Sequence, residues 1–326
     1  MSKRERLLNA FNNKPVDRIP VGFWFHFLPE EELGNGLEKP ELVEINIASH
    51  RSFIEAADPD FVKIMSDGFF RYPSPVLESL SNVQDLKKLT PVGKNHEWLQ
   101  KQISLVKEVT GFLKDTCSFY NIFSPATFLR ITISEERFIE YFREDPAAIA
   151  YALDVIAQDL VILAQAVIEE AGADGIYLSV QNPGNGAFTY EEYRRYITPS
   201  EKKVLESANQ VSHNNILHCC GYNGNKNNLS VWKDYDAKAV NWAVTIEKLD
   251  LAEGKKFFGG KAVIGGFDNR PGKLLHTGSK EEIEEFTRGL VKKAGNDGVV
   301  IGADCTVPAD IDLNRLHWVR ESVGNL

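Results

Sequence analysis

The feature that most constrains this chain is an alternation. Eight short apolar runs, each closed by Gly, Pro, Asn or Asp, are separated by stretches with helical periodicity. They cover residues 19–27, 60–66, 116–123, 174–180, 215–221, 237–244, 261–267 and 298–305. Runs of that length, rich in β-branched and aromatic residues, read as buried strands. Strands that alternate with helices call for a parallel sheet covered by helices. Eight such units predict an α/β chain folded as a single (β/α)8 TIM barrel over residues 1–326, with an N-terminal extension. An open doubly wound sheet is the structural alternative. Residues 28–50 and 67–98 read as long loops with partial helix, expected to form lids over the barrel mouth.

The helices carry start signals. Thr189 with Glu192, and Ser279 with Glu282, have capping-box spacing. Asp145-Pro146 and Thr198-Pro199 place a cap residue before a proline at the first helical position. No internal repeat and no Pro/Gly-rich linker divides the chain.

Composition narrows the partners. The net charge of -9 argues against nucleic acid and against an anionic membrane surface. The most apolar stretch, 147–171, carries Asp154, Asp159, Gln158 and Gln165, so it is expected to be a buried helix. The start, MSKRERLLNAFNNK, lacks the apolar centre of a signal peptide. A cytoplasmic location is therefore expected, with the four cysteines reduced.

Two of those cysteines lie in LHCCGY, residues 217–222. On a strand His218 and Cys220 point to one face and Cys219 to the other. Cys305 sits at the end of the eighth run, in GADCTVP. Strand C-termini line the active-site face of such a barrel, so His218, Cys220 and Cys305 are expected to converge there. Three soft ligands and a vacant fourth position are what a catalytic zinc site requires; Cys2His favours zinc. The alternative is plain burial, the common state of cysteine. Cys219 and Cys117 are read that way.

HCCG followed by a late G-x-D-C resembles the zinc motif of corrinoid-dependent methyltransferases in the uroporphyrinogen decarboxylase superfamily. GGFDN (265–269) is similar to the G-x-x-D stretch before the last strand in that superfamily, and RLLNAFNNKPVDRIPV to its opening pattern. The resemblance implies a (β/α)8 barrel holding zinc on His218, Cys220 and Cys305. It implies methyl transfer between a corrinoid and a small thiol or similar acceptor. No D-x-H-x-x-G corrinoid motif is present, so the corrinoid is expected on a partner protein. A homodimer is compatible with the family.

Other site candidates are Asp67, which resembles the essential aspartate of the decarboxylases, and Asp304, read either as an orienting acid beside Cys305 or as an ordinary loop acid. Trp24, His26, Asn182, Asn241, Asp268 and Arg270 are candidate substrate contacts, each with an ordinary structural alternative. Decarboxylation of a tetrapyrrole, as in porphyrin biosynthesis, is the runner-up activity. Against it, the arginine-rich segment of the decarboxylases is replaced by VGFWFHFLPEEE (21–32), with no arginine and three glutamates. Cobalamin-independent thiol alkylation would need a further glutamate, for which Glu247 is the nearest candidate. A non-catalytic barrel with a closed structural zinc is the reading from another class.

Overall fold

A computed structural model describes residues 1–184 and 186–324. Seven parallel strands follow one another in chain order: β1 (Phe61–Ile64), β2 (Cys117–Phe123), β3 (Gly175–Val180), β4 (Ile216–Cys219), β5 (Ala239–Trp242), β6 (Ala262–Phe267) and β7 (Val299–Ala303). The principal helices are α1 (Lys3–Phe11), α2 (Glu41–Ala57), α3 (Glu97–Gly111), α4 (Pro125–Ile133), α5 (Glu135–Glu144), α6 (Pro146–Glu169), α7 (Tyr190–Tyr196), α8 (Thr198–Val211), α9 (Leu251–Phe257), α10 (Lys280–Ala294) and α11 (Asn314–Gly324). The architecture is α/β and TIM-barrel-like.

The strands are buried on both faces, which is why they read as nearly unbroken apolar runs. Alternate residues separate into two clusters. Phe61, Phe119, Tyr177, Ile216, Ile264 and Val300 pack together with Trp24 inside the curled sheet. Val62, Tyr120, Ile176, Leu217, Val263 and Ile301 pack against the helices.

The expected first strand is the exception. Residues 19–27 run between β7 and the start of β1, yet only Val21 forms a bridge, to Ile301. Gly22 N–H donates to Ile301 O (3.0 Å), Ile301 N–H to Pro20 O (2.9 Å) and Asp60 N–H to Val21 O (3.0 Å). Side chains satisfy much of the remaining backbone. Val21 N–H donates to the Asp60 carboxylate (2.8 Å), and Phe27 N–H to Asp67 (2.7 Å). Proline 20 has no N–H to give to a ladder. The approach is close: a Cβ on Gly302 would lie 2.8 Å from Gly22 O.

Asp60 also explains the opening motif. It is fully buried and holds Arg18 (2.7 Å) and Arg6 (3.0 Å), while Arg6 reaches on to Asp17 (2.7 Å). This clasp fixes α1 and the 19–27 segment at the N-terminal end of the sheet. In GGFDN, Gly265 and Gly266 have φ of 146° and 120°, a region that side chains other than hydrogen rarely adopt.

Helix α6 begins where Asp145 accepts from Ala147 and Ala148 N–H (3.1 Å each). Its length and composition would let it span a membrane, but 61% of that window is buried within the fold, where it packs along α8. Both capping boxes are present. Thr198, in contrast, is the first residue of α8 and gives no side-chain cap.

The two expected lids are more structured than loops. Residues 41–57 are helical. The 67–98 segment is tied to α6 by buried Asp159, which accepts from Tyr72 OH (2.5 Å), Val92 N–H (2.9 Å) and Gly93 N–H (2.9 Å).

Candidate metal centre

Strand β4 sends Ile216 and His218 to the inside, and Cys220, just past its end, follows the same alternation. Cys305 arrives differently. Strand β7 ends at Ala303 and the chain bends at Asp304 and Cys305. Continued alternation would turn Cys305 away from Gly302. The bend instead brings its sulfur to the others and directs Asp304 elsewhere. Cys220 Sγ lies 3.8 Å from Cys305 Sγ, which lies 3.5 Å from His218 Nε2. All three donor atoms fall within 4.8 Å of one another.

The histidine is fixed from behind. His218 pairs across the ladder with Asn241 of β5. Asn241 is fully buried and its Nδ2 donates to Ile264 O (2.9 Å) and Ala303 O (3.1 Å). Its Oδ1 must therefore face His218 Nδ1 and accept its hydrogen. That leaves the Nε2 lone pair facing Cys305, as a metal ligand requires. The contact between the two sulfurs, with His218 and Lys63 nearby, draws Cys305 well below the usual thiol range and pushes Cys220 above it. Two sulfurs and an oriented imidazole lone pair suit a soft divalent cation, so the residues present fit zinc.

These groups line a cavity of about 460 Å³. Its walls include Met65, Phe70, Phe123 and Val180, and its mouth includes Glu30, Glu31 and Arg71. Arg130 joins the wall, its Nη2 donating to Gln181 Oε1 (2.8 Å). Lys63, on β1, lines it too. It is 5% exposed, and its ammonium sits 4.4 Å from the Tyr177 ring centroid and 5.2 Å from that of Trp24. Burial pulls its pKa down to about 8, against the pull of the two cysteines and Asp67. Sequence reasoning missed Lys63. The available signal was a single lysine at an inward position of a strand otherwise read as buried.

The other candidates divide. His26 lines the cavity, its Nδ1 2.9 Å from Asp67. Asp67 does not line it: its oxygens serve His26 and the Phe27 N–H, so it braces the 26–28 segment. Asp304 does not orient a metal ligand. It accepts from Thr245 N–H (3.0 Å), its other oxygen has no partner, and burial pushes its pKa up to about 7. Trp24 belongs to the inner core, 1% exposed. Asn241 is spent on His218 and two carbonyls, away from substrate. Asn182 N–H donates to Asn227 Oδ1 (2.9 Å), and Asn227 Nδ2 donates to Cys220 O (2.9 Å). Asn182 therefore braces the cysteine's backbone. Asp268 and Arg270 pair with each other (2.6 Å) outside the cavity lining. Glu247 accepts from Asn227 N–H (2.8 Å) and stands apart from the triad.

Comparison with known proteins agrees with this architecture. Residues 62–326 match the family profile of Uroporphyrinogen decarboxylase (URO-D). The chain is 22% identical over 312 residues to Methylcobamide:CoM methyltransferase MtbA of Methanosarcina acetivorans, covering 88% of each chain. It is 23% identical over 314 residues to the Methanosarcina mazei protein of the same name, again covering 88% of each. Among solved structures, a methyltransferase from Methanosarcina mazei superposes with a TM-score of 0.72 at 18% identity, over 100% of this chain and 99% of that one. A B12-independent methionine synthase from Shewanella sp. W3-18-1 superposes with a TM-score of 0.55 at 13% identity, over 94% and 97%. With most of its length matched by that profile, the chain belongs to the uroporphyrinogen decarboxylase family of enzymes.

Proposed function

We propose that this chain is a zinc-dependent methyltransferase that moves a methyl group between a corrinoid, carried by a partner protein, and a small thiol acceptor. The observation that carries the reading is the convergence of His218 Nε2, Cys220 Sγ and Cys305 Sγ at one point of the cavity wall. When bound there, zinc would supply the Lewis acidity that lets a coordinated thiol release its proton to solvent at neutral pH.

The protein's own residues do the rest. Asn241 holds the imidazole in the tautomer whose Nε2 accepts a metal. Asn182 and Asn227 hold the Cys220 backbone. Met65, Phe70 and Phe123 exclude water from the acceptor's sulfur, which keeps it nucleophilic. Asp67 and His26 fix the adjoining segment, and residues 28–34 serve as the lid under which the corrinoid presents its methyl group. In the transfer, the sulfur–carbon bond forms as the carbon–cobalt bond breaks, and the electron pair of the broken bond stays with cobalt.

Decarboxylation of a porphyrinogen has less support. Asp67 is spent on His26 and Phe27, and Glu30 and Glu31 stand beside Arg71 at the mouth and offset its attraction for a polycarboxylate. A closed structural zinc needs a fourth protein donor, whereas the cluster found among the described residues has three.

Elemental analysis tests the proposal, with an assay of methylcobalamin demethylation by 2-mercaptoethanol. One zinc per chain is expected in the native protein, and both metal and activity should be lost in Cys305→Ser. Full activity in a metal-free Cys305→Ser protein would exclude the scheme.

A further inference from the structure

The cavity contains a charge that the fold leaves without a partner. Lys63 has no carboxylate within ion-pair distance among the described residues, and no side-chain hydrogen bond. Its ammonium rests against two rings, Tyr177 and Trp24, both of which also pack near His218, with centroids 5.7 and 6.4 Å from the imidazole. Isolated buried charges are strongly disfavoured, so a lysine kept here calls for an anion that arrives later. A mere space-filler would serve as well as methionine.

The charge of the site says which anion. If methyl transfer is the reaction, the charge count at the metal follows. Two cysteine thiolates and a neutral imidazole balance a divalent cation. An acceptor thiol that gives up its proton adds one further negative charge to that balanced set. We propose that Lys63 supplies the matching positive charge: it is the positioning residue that stabilises the acceptor's thiolate and so sets the pH at which the acceptor binds. The step is R–SH going to R–S⁻, with the proton released to solvent. Once the neutral thioether forms, the surplus negative charge has passed to cobalt with the electron pair of the broken carbon–cobalt bond.

The groups that face Lys63 are consistent with this. They are Cys305, Cys220 and Asp67 beyond the end of β1, with the ring of Tyr177, whose hydroxyl has no hydrogen-bond partner. The Asp67 oxygens are taken by His26 and Phe27, so Asp67 does not neutralise the ammonium. Asn121 and Ser179, on the neighbouring strands, bond to each other at 2.9 Å and carry no charge.

The test uses zinc-loaded protein and two probes, neutral 2-mercaptoethanol and anionic mercaptoacetate. Binding is measured calorimetrically across pH, together with the protons released and the zinc content. In Lys63→Met, zinc should remain at the native level. The pH midpoint for binding both thiols should rise by about one unit, a tenfold weaker affinity at neutral pH. Lys63→Arg should restore the native midpoint, and Lys63→Gln serves as the neutral variant if the Met protein does not fold. An unchanged midpoint overturns the proposal. So does a loss confined to mercaptoacetate, which would make Lys63 a grip on the acceptor's own anionic group. Loss of zinc in the neutral variants overturns it as well, because Lys63 would then serve the metal. Failure of the native protein to bind zinc at all is a separate result, which removes the methyl-transfer reading and this one together.

Discussion

The two ends of this barrel treat charge in opposite ways. At the N-terminal end, buried Asp60 is surrounded by Arg6, Arg18 and the Val21 N–H, so every charge has its complement. Toward the C-terminal end, the Lys63 ammonium faces a cavity with no carboxylate against it, beside three soft donors. A saturated end holds a fold together. An unsaturated end stores interactions for something that has yet to arrive.

The largest break in that contrast comes from Asp60. Asp60→Ala leaves mostly buried Arg18 without a carboxylate and Arg6 with Asp17 alone, so a loss of about 3 kcal/mol is expected in denaturant unfolding. Removing a charge at the other end should not behave this way: Lys63→Met is expected to melt at the native temperature or above it. Equal losses for the two variants would erase the distinction between the ends.

Glu201 offers a calibration in the helical layer. It is fully buried, and burial pushes its pKa up to about 7 against donation from Tyr235, Tyr193 and Trp232. An acid whose folded pKa is raised binds more protons folded than unfolded. Its stabilising contribution is therefore complete below pH 4.5 and declines as pH rises toward 7, by on the order of 3 kcal/mol. Unfolding of Glu201→Gln should show a flatter pH dependence over that window.

Smaller effects sharpen the picture of the metal end. Asn241→Ala frees the imidazole, and zinc affinity should fall by about 10- to 100-fold in a chelator competition. Arg270→Ala removes an exposed pair with Asp268 and should change stability by less than about 1 kcal/mol, with no change in acceptor KM. A raised KM would extend the binding site beyond the cavity described.

Much of this was legible in the sequence. Seven of eight strands fall where period and punctuation place them, because a strand buried on both faces leaves an unmistakable apolar run. The triad was legible because His218 and Cys220 obey alternation. Cys305 reached the same point only through a bend after β7, and the residue that alternation favours, Asp304, went to Thr245 instead. Asp67, Asn182 and Asn241 were read as catalytic or substrate-contacting residues, and in the fold each bonds to protein groups. Their partners are backbone groups and other side chains, which spacing along the chain does not reveal. The 19–27 run failed as a strand for a related reason: Asp60 and Asp67, far off in sequence, took the N–H groups that a ladder would have used.

That substitution gives the wall a seam. Seven staves share a continuous ladder, while the eighth is pinned by a carboxylate near each of its ends, and it carries His26 and leads into the rim. Displacing those two carboxylates would loosen both ends of this stave while the ladder stays intact. In native-state hydrogen exchange its amides should open before those of β1 or β7, and entry to the cavity would then be governed from the side of the barrel as well as from its top.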